Sequence, residues 1–186
     1  YVCEVSSHAL DQDRFYDVEF DAAGWTSFSQ DHLDYHKTMN EYFNSKAQII
    51  KQLKKDAKLF VSKKDTEIIE KLNRKSVKQV NTEIFIDNEY FKISYNRKNL
   101  SLAVEILKEL GFKINKSLEG LKPTLGRFNV LKNKNINGKI IIDFAHTPDA
   151  IQNISKELKE NYKDNKIIIV FGCGGDRDRS KRPLMA

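Results

Sequence analysis

Two apolar runs, Lys139 to Phe144 and Lys166 to Phe171, flank a stretch from Pro148 to about Tyr162 whose apolar residues recur at helical spacing. Strand, helix and strand in that order predict a βαβ unit, because parallel strands need a crossover connection of a dozen or more residues. Thr147-Pro148 marks the helix start, with proline at the first helical position. Beyond Phe171 a Gly-rich loop leads into a further helix that begins near Lys181. This pattern commits the chain to an α/β fold with a parallel sheet.

The rest of the chain has the same α/β grammar in shorter pieces. Residues 1–5 read as a short buried strand ended by a turn at Ser6-Ser7-His8, and residues 16–28 hold two more strand candidates around Gly24. From Thr38 to about Leu53 the period changes. Met39, Tyr42, Phe43, Ala47, Ile49, Ile50 and Leu53 recur at helical spacing, with Thr38 as N-cap and Glu41 three residues on. Lys58 to Val61 predicts a strand and Asp65 to Asn73 an amphipathic helix. Val80–Ile86 and Tyr90–Ser94 predict a hairpin turned at Asp87-Asn88. A helix from about Arg97 to Leu110 is expected to bury Leu100, Ala103, Val104, Leu107 and Leu110 and to stop at Gly111. Lys122-Pro123-Thr124-Leu125-Gly126 reads as a boundary, giving domains at 1–125 and 126–186.

Composition narrows the function classes. Hydrophobic residues make up 40% and charged residues 31%, which fits a buried core and not a disordered chain. No apolar run approaches the roughly 20 residues that span a bilayer, and no signal peptide is visible. Cys3 and Cys173 are too few and too far apart for a disulfide framework, so a reducing, cytoplasmic setting is expected. The net charge of +6 comes from lysines dispersed along the chain, without the fold signature of a nucleic-acid binder. It suits a handler of phosphorylated substrates. The chain opens on Tyr1 as though a strand were under way and closes as a helix starts, so it reads as an internal fragment of a longer protein.

Several residues then stand out. Glu4 is a carboxylate at a strand end, where α/β sheets place ligand groups, although such a glutamate is commonly just solvated. His32 and His36, four apart in SQDHLDYH, have the spacing of a metal pair but lack the glutamate of the zincin motif. Lys46 lies on a helix among Phe43, Ala47 and Ile50, where a lysine ordinarily snorkels to water. Asn96 suits a helix cap. Asp143 ends a strand before a well-capped helix whose N-terminus could receive an anion. The glycines of FGCGGDRDRSKRPLM, residues 171–185, match neither the dinucleotide fingerprint nor a Walker loop.

In order and spacing, EVSSHALDQDR, TSFSQDHLDYH and YFNSKA resemble the central domain of the Mur ligases. SSHAL, DHLDYH and GCGGDRDR followed by KRPLM are similar to the branch that forms the tripeptide. The resemblance implies a central ATPase-like domain followed by a Rossmann-like C-terminal domain. It places the family's carbamylated lysine on Lys46 and the magnesium ligands on Glu4, His32 and Lys46, a carbamate being a hard oxygen donor suited to Mg²⁺. It puts Ser6, Gln12 and Arg14 against the UDP-muramoyl dipeptide. Arg14 fits there because its planar fork pairs with carboxylate or phosphate. Asn99, Arg127, Asp143 and His146 fall where the family holds ATP, Asn99 at the adenine. Ile93 and Phe144 depart from the usual glycine and tyrosine.

The implied reaction is ATP-dependent amide formation. ATP phosphorylates the D-glutamate carboxylate of UDP-N-acetylmuramoyl-L-alanyl-D-glutamate, and the acyl phosphate is attacked by the amine of meso-diaminopimelate or L-lysine. A monomer without nucleic-acid or membrane partners is expected, and residues 1–186 alone are expected to be inactive. The competing readings are another ligase of the same superfamily, such as folylpolyglutamate synthetase, and a non-catalytic basic nucleotide-binding module.

Overall fold

The computed structural model describes residues 1–72, 74–114, 118, 120–132, 138–174 and 180–186. They form two compact units, residues 1–84 with 97–114 and residues 85–96 with 115–186. Among the described residues no helix is long and apolar enough to cross a membrane.

The first unit is built on β2, Leu59–Ser62. Leu59, Phe60 and Val61 are at most 1% exposed, so this strand is buried on both faces, as parallel strands generally are. It lies between β1 (Ala23–Trp25) and β3 (Val77–Val80), and both pair with it in parallel. Strand alternation sends its side chains into two different clusters. Leu59 and Val61 pack with Leu10, Trp25, Phe43, Ile49, Ile68 and Ile69, while Phe60 packs with Val80 and Leu102.

Helices supply both layers. On the Leu59/Val61 side lie α1 (Ser7–Asp11), α3 (Met39–Ala47) with a 3₁₀ extension at Gln48–Gln52, and α4 (Thr66–Lys71). Thr38 caps α3 as its sequence predicts, its hydroxyl accepting from the Glu41 N–H at 3.1 Å. The short α2 (Leu33–His36) is bracketed by two residues with left-handed φ, His32 at 57° and Lys37 at 63°. On the Phe60 side lies α6 (Ser94–Glu109), through Leu102 and Ile106. Gly24 is where β1 meets that helix most closely. A Cβ there would stand 3.0 Å from Ile106 Cδ1, so a side chain would require the end of the Ile106 side chain to shift.

The second unit holds an antiparallel pair, β4 (Asn129–Lys132) with β5 (Lys139–Ile142), and the helices α5 (Glu89–Lys92), α7 (Pro148–Asn161) and α8 (Lys181–Met185). Thr147 caps α7, accepting from the Ala150 N–H at 3.2 Å. Ile151, Ile154 and Glu157 form its buried face, and Ile154 meets Ile93 and Phe128 in the core of this unit.

Several expectations are corrected. Residues 1–5 form no strand: no ladder partner lies beside them among the described residues, and Tyr1 to Glu4 are exposed. The predicted hairpin is instead β3 followed by an irregular segment and α5, because Asn88 accepts from the Tyr90 N–H at 2.9 Å and starts a helix where a turn was expected. The next helix begins at Ser94, three residues earlier than expected. It buries Leu100, Leu102 and Val104, and leaves Ala103, Leu107 and Leu110 exposed. Residues 166–171 carry no ladder, with Ile168 75% and Val170 92% exposed, so the 139–171 pattern does not form a βαβ unit. An apolar run becomes a strand only when a neighbour satisfies its backbone. The βαβ unit lies elsewhere, as β2–α4–β3. Asn73, the expected end of α4, lies outside the described residues.

Phe60 is fully buried between β3 and α6. Phe60→Ala is expected to cost about 3–5 kcal/mol of unfolding free energy, read from chemical denaturation.

Candidate functional site

The first candidate group assembles around Ser7. The Ser6 hydroxyl accepts from the Ala9 N–H at 3.2 Å and so starts α1. Ser7, buried at 2%, lies one residue on. Its Oγ is 2.8 Å from His36 Nε2, and its carbonyl accepts from the Ser45 hydroxyl at 2.7 Å. One serine thereby ties α1 to both α2 and α3. His8 stands at the centre of an aromatic cluster, its ring centroid 4.2 Å from Tyr35, 4.8 Å from His32 and 5.3 Å from His36.

Lys46 projects from the last turn of α3 between aromatic walls. Its Nζ lies 5.7 Å from the Trp25 ring centroid and 5.4 Å from that of Tyr42. Burial pulls the Lys46 ammonium below its ordinary value, and the Glu4 and Asp31 carboxylates partly oppose that shift. His32 is likewise lowered by burial, opposed by Asp31 and reinforced by His8 and Lys46. Tyr42 is pushed up to about 12, chiefly by burial and then by Asp31. Glu4 and Lys46 feel each other's charge, as do Lys46 and His32.

Asp31 is a functional candidate that sequence reasoning missed. Its Oδ1 accepts from the His32 N–H at 2.9 Å and its Oδ2 lies 3.5 Å from His32 Nε2. It stabilises the left-handed backbone of His32, a conformation uncommon for a residue with a side chain. Its position inside DHLDYH was the available signal. Among the described residues, no three of His, Cys, Asp and Glu gather closely enough to hold a metal by themselves.

Gln12 and Arg14 follow α1 at the surface and are joined to each other. Arg14 donates from Nε and Nη2 to Gln12 Oε1 at 3.0 and 2.6 Å. Gln12 Nε2 donates to the Tyr35 hydroxyl at 3.3 Å, which donates to Asp11 Oδ2 at 2.7 Å. Asn99 belongs to the first unit and lies exposed on α6. Beside it Lys98 forms a half-buried ion pair with Asp65, with Nζ 3.1 and 3.2 Å from the two carboxylate oxygens.

Arg127, Asp143 and His146 come together in the second unit. Gly126 and Phe128 take positive φ, 76° and 46°, so the chain turns sharply around Arg127. Asp143 stabilises that turn by accepting from the Phe128 N–H at 2.8 Å, and its other oxygen accepts from the Ala145 N–H at 2.8 Å. The guanidinium of Arg127 stacks over Phe144, with 5.6 Å from Cζ to the ring centroid. His146 Nδ1 lies 2.9 Å from the Phe144 carbonyl. Tyr95, not singled out by sequence, reaches Asp143 with its hydroxyl at 3.4 Å, and burial together with Asp143 raises its pKa. Asn96 lies inside the first turn of α6 and does not cap it. Its amide donates to the Tyr90 carbonyl at 2.9 Å, and the Glu157 carboxylate accepts from the Ser94 N–H at 3.0 Å. Residues 175–179 of the Gly-rich string lie outside the described residues.

Comparison with known proteins bears on both units. The model of the Mur ligase middle domain matches residues 1–133, and that of the Mur ligase glutamate ligase domain matches residues 126–186. Among similar curated proteins are two named UDP-N-acetylmuramoyl-L-alanyl-D-glutamate–2,6-diaminopimelate ligase. That of Aquifex aeolicus is 34% identical over 99% of this chain and 43% of its own length, and that of Clostridium botulinum is 37% identical over 99% and 44%. The chain therefore spans less than half the length of these relatives. A solved MurF ligase from Thermotoga maritima, in complex with ADP, superposes with a TM-score of 0.63 at 16% identity, over 83% of this chain and 42% of that one. It supports the fold.

His36 gives this site a pH signature. Burial holds both His36 and His32 below the ordinary 6.5, so between 6.5 and those depressed values the unfolded chain binds more protons than the folded one. Stability is therefore expected to fall as pH drops through that window, at up to about 1.4 kcal/mol per pH unit for each proton. Replacing His36 by Gln removes one of the two groups, and denaturation curves at stepped pH should show a shallower decline.

Proposed function

We propose, because the chain belongs to the Mur ligase family, that it carries the metal- and nucleotide-handling residues of a cytoplasmic, ATP-dependent amide ligase. That ligase adds diaminopimelate to UDP-N-acetylmuramoyl-L-alanyl-D-glutamate in peptidoglycan synthesis. The proposed division is a central ATP-binding domain over 1–125 and a Rossmann-like C-terminal domain contributed to by 126–186. The choice of diaminopimelate follows the names of the relatives from Aquifex aeolicus and Clostridium botulinum.

The observation that carries this reading is the environment of Lys46. A lysine whose charge is disfavoured by burial holds more of its amine in the neutral form. A neutral amine adds CO2, forming an N–C bond and releasing a proton, and leaves an anionic carbamate. Glu4 and His32 are only two donors, and the Lys46 ammonium is no ligand. The carbamate would supply the missing hard oxygens, and the donor set then suits Mg²⁺. Depressed protonation keeps His32 a neutral ligand, and Asp31 holds its ring.

Glu4, His32 and the Lys46 carbamate would hold a magnesium ion, which would supply charge neutralisation for the phosphoryl group in transfer. The chain's own residues do the rest by binding and orientation. Ser6, Gln12 and Arg14 hold the UDP-muramoyl dipeptide. Asn99 meets the adenine edge, and Arg127, Asp143 and His146 hold the rest of ATP, with Phe144 backing the Arg127 guanidinium. The amine of the incoming amino acid attacks the acyl phosphate, and amide, ADP and phosphate leave.

In the ligase that carries this chain, Lys46→Ala is expected to lower turnover about a hundredfold or more. Partial recovery is expected on adding a small carboxylic acid, which replaces the lost carbamate oxygens. Unchanged turnover in Lys46→Ala would refute the reading.

A further inference from the structure

We propose that Tyr35 is a positioning residue that keeps Asp11 from capturing Arg14, and so leaves Arg14 available to the anionic groups of the substrate. The inference rests on the reading that Arg14 binds the UDP-muramoyl dipeptide.

The donors and acceptors run in one direction. The guanidinium can only donate, and two of its N–H groups converge on Gln12 Oε1. The Gln12 amide nitrogen donates in turn to the Tyr35 oxygen. The hydroxyl has a single proton, and it goes to Asp11 Oδ2 at 2.7 Å. Tyr35 itself is half-buried and held by its ring contact with His8 at 4.2 Å, whereas Asp11, Gln12 and Arg14 are all exposed. The fixed member of the chain is therefore the tyrosine, and the three surface side chains are arranged on it.

The charge balance shows why this arrangement matters. Asp11 and Arg14 lie three residues apart, joined by Asp13 with a left-handed φ of 51° that folds the chain back on itself. A carboxylate and a guanidinium form a strong bidentate pair. Such a pair would occupy the edge of Arg14 that a phosphate or carboxylate needs, and would bring a negative charge to an anion site. In the structure Asp11 is bonded to Tyr35, while Arg14 uses Nε and Nη2 on a neutral amide and keeps its Nη1 group clear of partners among the described residues. Tyrosine accomplishes both ends of this, since its one oxygen accepts from Gln12 and donates to Asp11. Phenylalanine at position 35 would preserve the packing on His8 and release Asp11.

The test is steady-state kinetics of the ligase, varying the UDP-muramoyl dipeptide and ATP separately. Tyr35→Phe should raise the KM for the dipeptide about fivefold, the size of one net hydrogen bond. The KM for ATP and the melting temperature should stay unchanged. Adding Asp11→Asn to Tyr35→Phe should bring the dipeptide KM back to within about twofold of the parent, because the competitor has lost its charge. An unchanged dipeptide KM in Tyr35→Phe overturns the proposal. So does a rise in both KM values with a lowered melting temperature, which would make Tyr35 a packing residue. Failure of Asp11→Asn to restore the KM overturns the competition that defines Tyr35's role. Arg14→Ala separates the two levels. If it leaves the dipeptide KM unchanged, the substrate reading falls and takes this inference with it. If it raises that KM while Tyr35→Phe does not, only the role of Tyr35 is refuted.

Discussion

Strand β2 has no solvent on either face, and the first unit is organised by that constraint. A strand of Leu59, Phe60 and Val61 flanked by parallel neighbours must be covered on both sides. The cover on one side includes α3, whose Phe43 and Ala47 pack toward Leu59 and Val61. The cover on the other is α6, through Leu102 and Ile106. Lys46 follows from the first requirement. A helix that presents Phe43 and Ala47 to the sheet brings Lys46 beside Trp25, at the C-terminal end of β1. The desolvation that shifts its titration is a by-product of core packing.

The elements legible in sequence were those whose signals are local. Thr38 and Thr147 cap their helices with the predicted hydroxyls, and Gly111 ends its helix at a φ of 82°. What failed depended on partners distant in the chain. The 139–171 pattern has the period of a βαβ unit, yet β5 pairs antiparallel with β4, and residues 166–171 pair with nothing among the described residues. Conversely, β2–α4–β3 is a true βαβ unit whose second strand, the half-buried Val77–Val80, was not predicted, since the sequence placed a strand only from Val80 onward, in a hairpin. Periodicity reports which side of a segment is apolar. It carries no information on which strand lies beside it.

The candidate site divides in the same way. Glu4, His32 and Lys46 were picked out by strings that resemble the family's in order and spacing, although each residue alone looks ordinary. Asp31, Tyr35 and Tyr95 were not, because their importance lies in what they touch: Asp31 beside His32, Tyr35 between Gln12 and Asp11, and Tyr95 on Asp143. Ser7 is the plainest case. An unremarked serine in SSHAL holds three helices through one hydroxyl and one carbonyl.

Trp25 is the single tryptophan of the chain, buried at 4% against Phe43 with the Lys46 amine above its ring. An indole responds electronically to a charge placed over its face. Conversion of Lys46 from ammonium to neutral amine, or to an anion, reverses or removes that charge at 5.7 Å. The protein therefore contains its own optical probe. With no second indole in residues 1–186, the emission of Trp25 is expected to change with the charge on the lysine beside it.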